Sequence, residues 1–179
     1  MAFRNIKPLH ILCQKSEIVG MLDGISSGIE QVLSLAGVFQ EFKLEYLGKR
    51  RQPDWLNQDG TPNEYQSLDW HIWFAHKNSE KDGHLNSLVL LNSLRENPTY
   101  KTEPRYELVV VNEPLHWNDI SLRTVGGAAR KCQGAIITTS HHLHFLRPVV
   151  GESDADKEKR RSSFFLATQM LAMHELGHV

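Results

Sequence analysis

The residues best suited to chemistry stand at the end of the chain, where His174, Glu175 and His178 form a His-Glu-x-x-His motif. Because an α-helix has 3.6 residues per turn, the two histidines lie on one face of a helix, where both imidazoles can bind one metal ion. Glu175 lies too far around the helix to be a comfortable third ligand, but it can act as a general base on a metal-bound water. The spacing therefore predicts that His174 and His178 bind Zn²⁺ and that Glu175 is catalytic.

The residues before the motif support this interpretation. Ser162–Met173 is apolar on almost all sides, which predicts a buried helix with two histidines at its end that need polar partners. A metal ion is the simplest partner, although two structural histidines would also produce the pattern. Gly177 costs about 1 kcal/mol within a helix, and close approach of another backbone or of the metal site would explain its presence.

A catalytic zinc needs a third protein ligand and an open position for water. Val179 alone follows His178 in this sequence, and a helix that ended there would leave His178 in an uncapped last turn. We therefore expect a longer parent protein, of which residues 1–179 are the first part. With two imidazoles only, we expect these residues by themselves to bind zinc weakly and to show little peptidase activity.

A second histidine cluster, at His141, His142 and His144, is a rival source of a third ligand. If the strand predicted just before it continued into the cluster, His142 and His144 would share a face and present two imidazoles together. Contact with substrate or with solvent is the more common use of histidines at the end of a strand. The sequence leaves both interpretations open.

The composition excludes several classes of protein. With 179 residues, of which 40% are hydrophobic and 23% charged, the chain has enough apolar residues for the core of one domain. A net charge of −1 gives no general attraction to nucleic acid or to membrane surfaces, so neither is expected as a partner. No stretch resembles a signal peptide, which predicts a cytoplasmic protein whose Cys13 and Cys132 are reduced and buried.

The elements that position the motif begin with a predicted β-α-β unit. Pro8–Cys13 is an apolar run typical of a buried strand, Ile18–Ala36 has apolar residues at helical spacing, and Phe42–Tyr46 alternates as a strand does. Gly37 occupies the usual place of a C-cap glycine. Residues 48–68 are polar and rich in Pro, Asn, Asp and Gly, which predicts a surface loop or an insertion.

The rest of the chain predicts three strands and a further helix. Asp69–His76 is aromatic-rich and is expected to be extended, whereas Leu85–Leu94 has a helical pattern. β-Branched residues dominate Tyr106–Val111, which predicts a central strand; Gly134–Ser140 is the next strand. Gly126–Ala129 marks a bend or a close backbone contact. The predicted fold is α/β, with a twisted mixed β-sheet flanked by helices and the final helix beneath it.

On these residues the chain resembles the metzincin clan of zinc metallopeptidases and, within it, the archaemetzincins. The likeness rests on His174 to His178 on an apolar helix and on the order of strands and helices before it. It implies a zincin-like upper subdomain with a C-terminal active-site helix, Zn²⁺ as cofactor, and hydrolysis of a peptide or protein substrate. It also implies a third histidine, a methionine-containing turn and a cysteine-rich second zinc site, whose residues are not in this sequence. A relative with a downstream glutamate ligand stays open.

The same resemblance implies that extended substrate pairs with an edge strand made of Ile136, Ile137, Thr138, Thr139 and Ser140. Main-chain hydrogen bonds along such an edge would hold a peptide across the metal. An alternative from another class is a non-catalytic, peptidase-derived module that binds a peptide or partner at the sheet edge, with or without structural zinc. The full reading frame would discriminate between the two, because the enzyme needs a third ligand.

Overall fold

The computed structural model of the chain describes residues 7–14, 20–48, 67–96, 105–117, 124–130 and 134–178. No helix in these ranges is both long enough and apolar enough to cross a membrane. The strands and α-helices that they contain are, in chain order, β1 Lys7–Cys13, α1 Met21–Leu35, β2 Phe42–Gly48, α2 Leu68–Lys77, β3 Leu85–Asn86, α3 Ser87–Glu96, β4 Tyr106–Val111, β5 Leu115–His116, β6 Thr124–Val125, β7 Gly127–Arg130, β8 Gly134–Thr138 and α4 Asp154–Leu176.

The main sheet has five strands in the order β2-β1-β4-β8-β7, and three short strands form a second sheet in the order β3-β5-β6. In the main sheet β2, β1, β4 and β8 are parallel, whereas β7 pairs with β8 in the antiparallel direction. β4 lies in the middle, as its β-branched residues predict, because a strand buried on both faces favours such side chains. The predicted mixed sheet flanked by helices is confirmed.

Two apolar clusters lie on opposite faces of this sheet. Successive residues of β4 alternate between them: Leu108 and Val110 belong to the first cluster, and Val109 and Val111 to the second. Helices α1 and α4 contribute to the first cluster, and α2 and α3 to the second. The helix that carries the histidine motif therefore packs on the α1 side of the sheet.

Helices α1 and α4 approach closely because α1 has glycines at their contact. A Cβ atom added at Gly28 would lie 2.5 Å from the carbonyl oxygen of Gln169, and one at Gly24 would lie 2.7 Å from that of Phe165. Gln169 Nε2 also donates a hydrogen bond of 3.0 Å to Ser27 Oγ. This backbone contact fixes where α4, and with it the motif, lies relative to the sheet.

The prediction that Asp69–His76 is extended is wrong, because these residues form most of α2. Ser67 caps this helix, since its Oγ accepts a hydrogen bond from the backbone nitrogen of Asp69 at 3.2 Å. Trp70 and Phe74, one helical turn apart, stack with ring centroids 5.3 Å apart. Contacts between aromatic residues four apart thus outweigh the preference of these residues for strands.

The other elements lie close to their predicted places. Pro8–Cys13, Phe42–Tyr46 and the described part of the first helix are confirmed, whereas Leu85–Leu94 is helical only from Ser87 onward. Cys13 is buried, and burial raises the pKa of its thiol to about 12. Cys132 and almost all of the predicted loop at 48–68 lie outside the described residues.

An ion pair attaches the first half of α4 to the turn before it. Arg160 donates through Nε and Nη2 to both carboxylate oxygens of Glu152, and through Nη1 to the carbonyl oxygen of Phe145 at 2.6 Å. The Glu152 side chain is only 6% exposed. Hydrogen bonds from Arg160 hold the pKa of Glu152 below its usual value.

We expect Glu152→Gln to lower the melting temperature by a few degrees at neutral pH. Since the pKa of Glu152 is lower in the folded state, the pair stabilises the fold above the unfolded-state pKa of about 4.3, and this contribution is lost as the pH falls through the folded-state value. The difference in melting temperature between wild type and variant should therefore disappear in acid. Thermal unfolding followed by circular dichroism across this range measures it.

Lys157→Gln is the control, because Lys157 pairs with the exposed Asp154, and exposed pairs contribute little stability. A Glu152→Gln difference that stayed constant from neutral pH into acid would show that charge is not the cause.

Candidate metal centre

The motif lies in the last turns of α4, which begins at a regular cap. Ser153 Oγ accepts a hydrogen bond from the backbone nitrogen of Asp156 at 3.2 Å. At the other end, Gly177 N donates to Met173 O at 3.0 Å, so helical hydrogen bonding continues through the motif. Among described atoms, a Cβ at Gly177 would meet only carbonyl oxygens of the preceding turn, at 3.3 Å. The close approach expected at Gly177 is therefore not what the structure shows.

His174 and His178, four residues apart on α4, bring their Nε2 atoms close together. The two atoms lie 3.4 Å apart, and the ring planes are inclined by 87°. A tetrahedral zinc that binds two imidazoles at about 2.0–2.1 Å holds the two nitrogens about 3.3–3.4 Å apart. The side chain of His174 is 66% exposed, which leaves room for other ligands. The pair therefore fits one zinc ion as it stands.

Glu175 is buried beside the two histidines. It is only 6% exposed, and its Oε1 lies 4.0 Å from Nε2 of His174. Burial raises the pKa of its carboxyl group above the usual value, and the charges of His174 and His178 oppose part of that rise. A carboxylate with a raised pKa beside a metal site is a suitable proton acceptor.

The described residues contain no group of three or more His, Cys, Asp or Glu side chains able to hold a metal. His141 and His142 lie in a turn and His144 in the short 3-10 helix Leu143–Leu146, so the interpretation in which His142 and His144 share a strand face does not hold. Instead, the rings of His142 and His144 lie 6.4 and 4.0 Å from the ring of Phe145. Partial burial lowers the pKa of His142.

The edge strand predicted at Ile136, Ile137, Thr138, Thr139 and Ser140 is not at an edge. Its first three residues lie in β8, which pairs with β4 on one side and with β7 on the other. Thr139 N in turn donates to Val111 O at 3.0 Å. Backbone groups on both sides of this strand are already used, which leaves no open row for a substrate. Among the described strands, β7 is the outermost on this side.

Sequence reasoning missed β7 as a strand and expected a bend or a close backbone contact at Gly126–Ala129. The structure places Glu175 in that contact. A Cβ atom added at Gly127 would lie 2.5 Å from Cγ, 2.6 Å from Cδ and 2.6 Å from Oε1 of Glu175. Gly127 was the residue of this run that marked the site.

Solved structures provide the comparison with known proteins. The chain resembles archaemetzincin from Methanopyrus kandleri, with a TM-score of 0.55 and 20% sequence identity over 97% of this chain and 73% of that one. A zinc-dependent peptidase from Methanocorpusculum labreanum is similar with a TM-score of 0.46 and 17% identity, over 95% of this chain and 79% of that one. No protein-family model and no curated protein sequence matches the chain. The archaemetzincin-like fold expected from the sequence is confirmed.

Proposed function

We propose that this chain, which has an archaemetzincin-like fold, provides two zinc ligands and the general base of a metallopeptidase. His174 and His178 would bind the metal, and Glu175 would be the base. The observation that carries the proposal is the 3.4 Å separation of the two Nε2 atoms, which matches the geometry of a tetrahedral zinc. The buried carboxylate beside them supports it.

Bound zinc supplies a Lewis acid that polarises a carbonyl group and lowers the pKa of a water to about 7. Glu175 would accept a proton from a water beside the histidine pair and later donate it to the leaving amine. Its Oε1 lies 4.0 Å from Nε2 of His174, so the carboxylate is within reach of a water beside the histidine pair. The third protein ligand comes from outside the described residues.

The substrate in this proposal is an extended peptide, bound along the outer side of β7 by main-chain hydrogen bonds. β7 replaces the strand at 136–140 in this role because it has a partner on only one side among the described strands. The contact between Gly127 and Glu175 supports this choice, because it sets the proposed base against the strand that would hold the peptide.

A second candidate is a non-catalytic module that binds a peptide at the same edge, with or without structural zinc. One observation favours it: within the described ranges, no third metal-binding side chain joins His174 and His178. The two candidates differ in the role of Glu175, which only the peptidase needs as a base.

We expect Glu175→Gln to abolish zinc-dependent peptide hydrolysis, with a loss of at least about 100-fold, while zinc affinity changes little. Glutamine keeps the shape of the side chain but cannot accept the proton. The measurement is cleavage of a peptide mixture, followed by mass spectrometry, for this chain and for a version extended past Val179, with and without zinc. Cleavage that survives Glu175→Gln would reject this residue as the base. Bound zinc with no cleavage by either wild-type protein would favour the module.

A further inference from the structure

Gly127 is the first residue of β7, and neither its backbone conformation nor its place in the sheet requires a glycine. It pairs with Ile137 of β8 in regular antiparallel register. Positive φ angles occur at Gly20, Gly37, Gly83, Gly134 and Gly151, but Gly127 is not among them. Its conformation is therefore open to any residue, and the reason for a glycine must be space.

That space is filled by Glu175. The Cγ, Cδ and Oε1 atoms of Glu175 lie within 2.6 Å of the point where a Cβ atom of Gly127 would be, whereas ordinary contacts to a Cβ begin at about 3.4 Å. The carboxylate thus lies against the bare backbone of the strand. Any larger residue at this position would push it away by about 1 Å.

The identity of the contacting atoms decides what a substitution does. At Gly28 a new Cβ meets a carbonyl of a packed helix, which cannot move cheaply, but at Gly127 it meets the flexible end of a side chain. The fold can therefore accept alanine at Gly127 by moving the carboxylate. His174 and His178 lie elsewhere on the turn, and the atoms nearest the added Cβ all belong to Glu175.

We propose that Gly127 is a positioning residue, which holds the carboxylate of Glu175 beside the histidine pair by leaving the place of its own side chain empty. The catalytic consequence of this inference rests on the proposed function, whereas the placement of the Glu175 carboxylate by Gly127 does not. Gly127 contacts the base and not the metal ligands, so it should affect proton transfer without affecting metal binding.

The test compares Gly127→Ala with Gly126→Ala, a neighbour whose added Cβ would meet, among the described atoms, only the flexible Leu171 Cδ1, at 3.3 Å. In a crystal structure of Gly127→Ala, we expect the carboxylate of Glu175 to be displaced by about 1 Å with β7 in place. A carboxylate that stays while β7 moves would overturn the proposal. Zinc affinity, measured by calorimetry, should stay within about twofold of wild type in both variants.

Kinetics of the zinc-loaded enzyme, in the shortest version that cleaves peptides, provide the second readout. We expect Gly127→Ala to lower kcat about 100-fold with KM nearly unchanged, since a displacement of about 1 Å can cost that much. Gly126→Ala should retain kcat within about twofold. An unchanged kcat in Gly127→Ala would also overturn the proposal. If no version cleaves peptides, the proposed function fails, and the crystal structure still decides whether Gly127 positions Glu175.

Discussion

Replacing His178 with alanine is expected to weaken zinc binding by at least about 100-fold. Loss of a group that only supports a metal ligand typically costs 10- to 100-fold in affinity, and loss of a ligand itself costs at least as much. The wild-type chain should bind zinc only in the micromolar range or more weakly, because two imidazoles leave most of the ion hydrated. Competition with a chromophoric chelator measures both affinities.

His84→Ala is the matched control, because His84 lies in a loop before β3 and its Nδ1 lies 3.0 Å from Asp82 O. It should bind zinc as the wild type does. His144→Ala is a third variant for this experiment. If it loses zinc affinity, the cluster at His141, His142 and His144 is a source of a third ligand. Equal affinities for wild type and His178→Ala would show that zinc binds elsewhere.

Gly28→Ala is expected to destabilise the protein by about 2–4 kcal/mol, which lowers the melting temperature by about 5–15 °C. Alanine in an exposed helix position would instead stabilise it by up to about 1 kcal/mol. At Gly28 the clash makes alanine destabilising, because the added Cβ would lie 2.5 Å from Gln169 O, a backbone atom inside α4. Thermal and urea unfolding of the metal-free protein measure the loss.

Ser34→Ala, on the exposed side of the same helix, is the control and should change stability by less than about 0.5 kcal/mol. If Gly28→Ala proved as stable as wild type, α1 and α4 would have to separate without cost, and the close helix contact would not fix the motif.

The proximity of His174 and His178 was predictable from sequence because their arrangement is local. Four residues of separation on a helix bring His174 and His178 together whatever the rest of the fold does. The central position of β4 was predictable for a related reason, since the run of β-branched residues in Tyr106–Val111 reflects burial on both faces.

Two predictions from the sequence were wrong because they depend on contacts that residue types alone do not reveal. The family resemblance placed the strand at 136–140 at an edge, and its neighbour β7 was missed because it is a short run of small residues with no strand pattern. The extended structure expected at Asp69–His76 failed because the capping contact of Ser67 and the stacking of Trp70 on Phe74 favour a helix. Preferences of single residues carry too little energy to decide such cases.

The contact between α1 and α4 has a consequence for the order in which the protein folds. Ser27 and Gln169, which it joins, are 142 residues apart in sequence. Contacts of such long range form slowly, since a large loop must close first, whereas a helical turn forms in less than about a microsecond. The two histidines can therefore come together before α4 docks, but Glu175 reaches β7 only afterwards. Under the proposed function, zinc bound by the histidine pair at that stage would be held before Glu175 is in place.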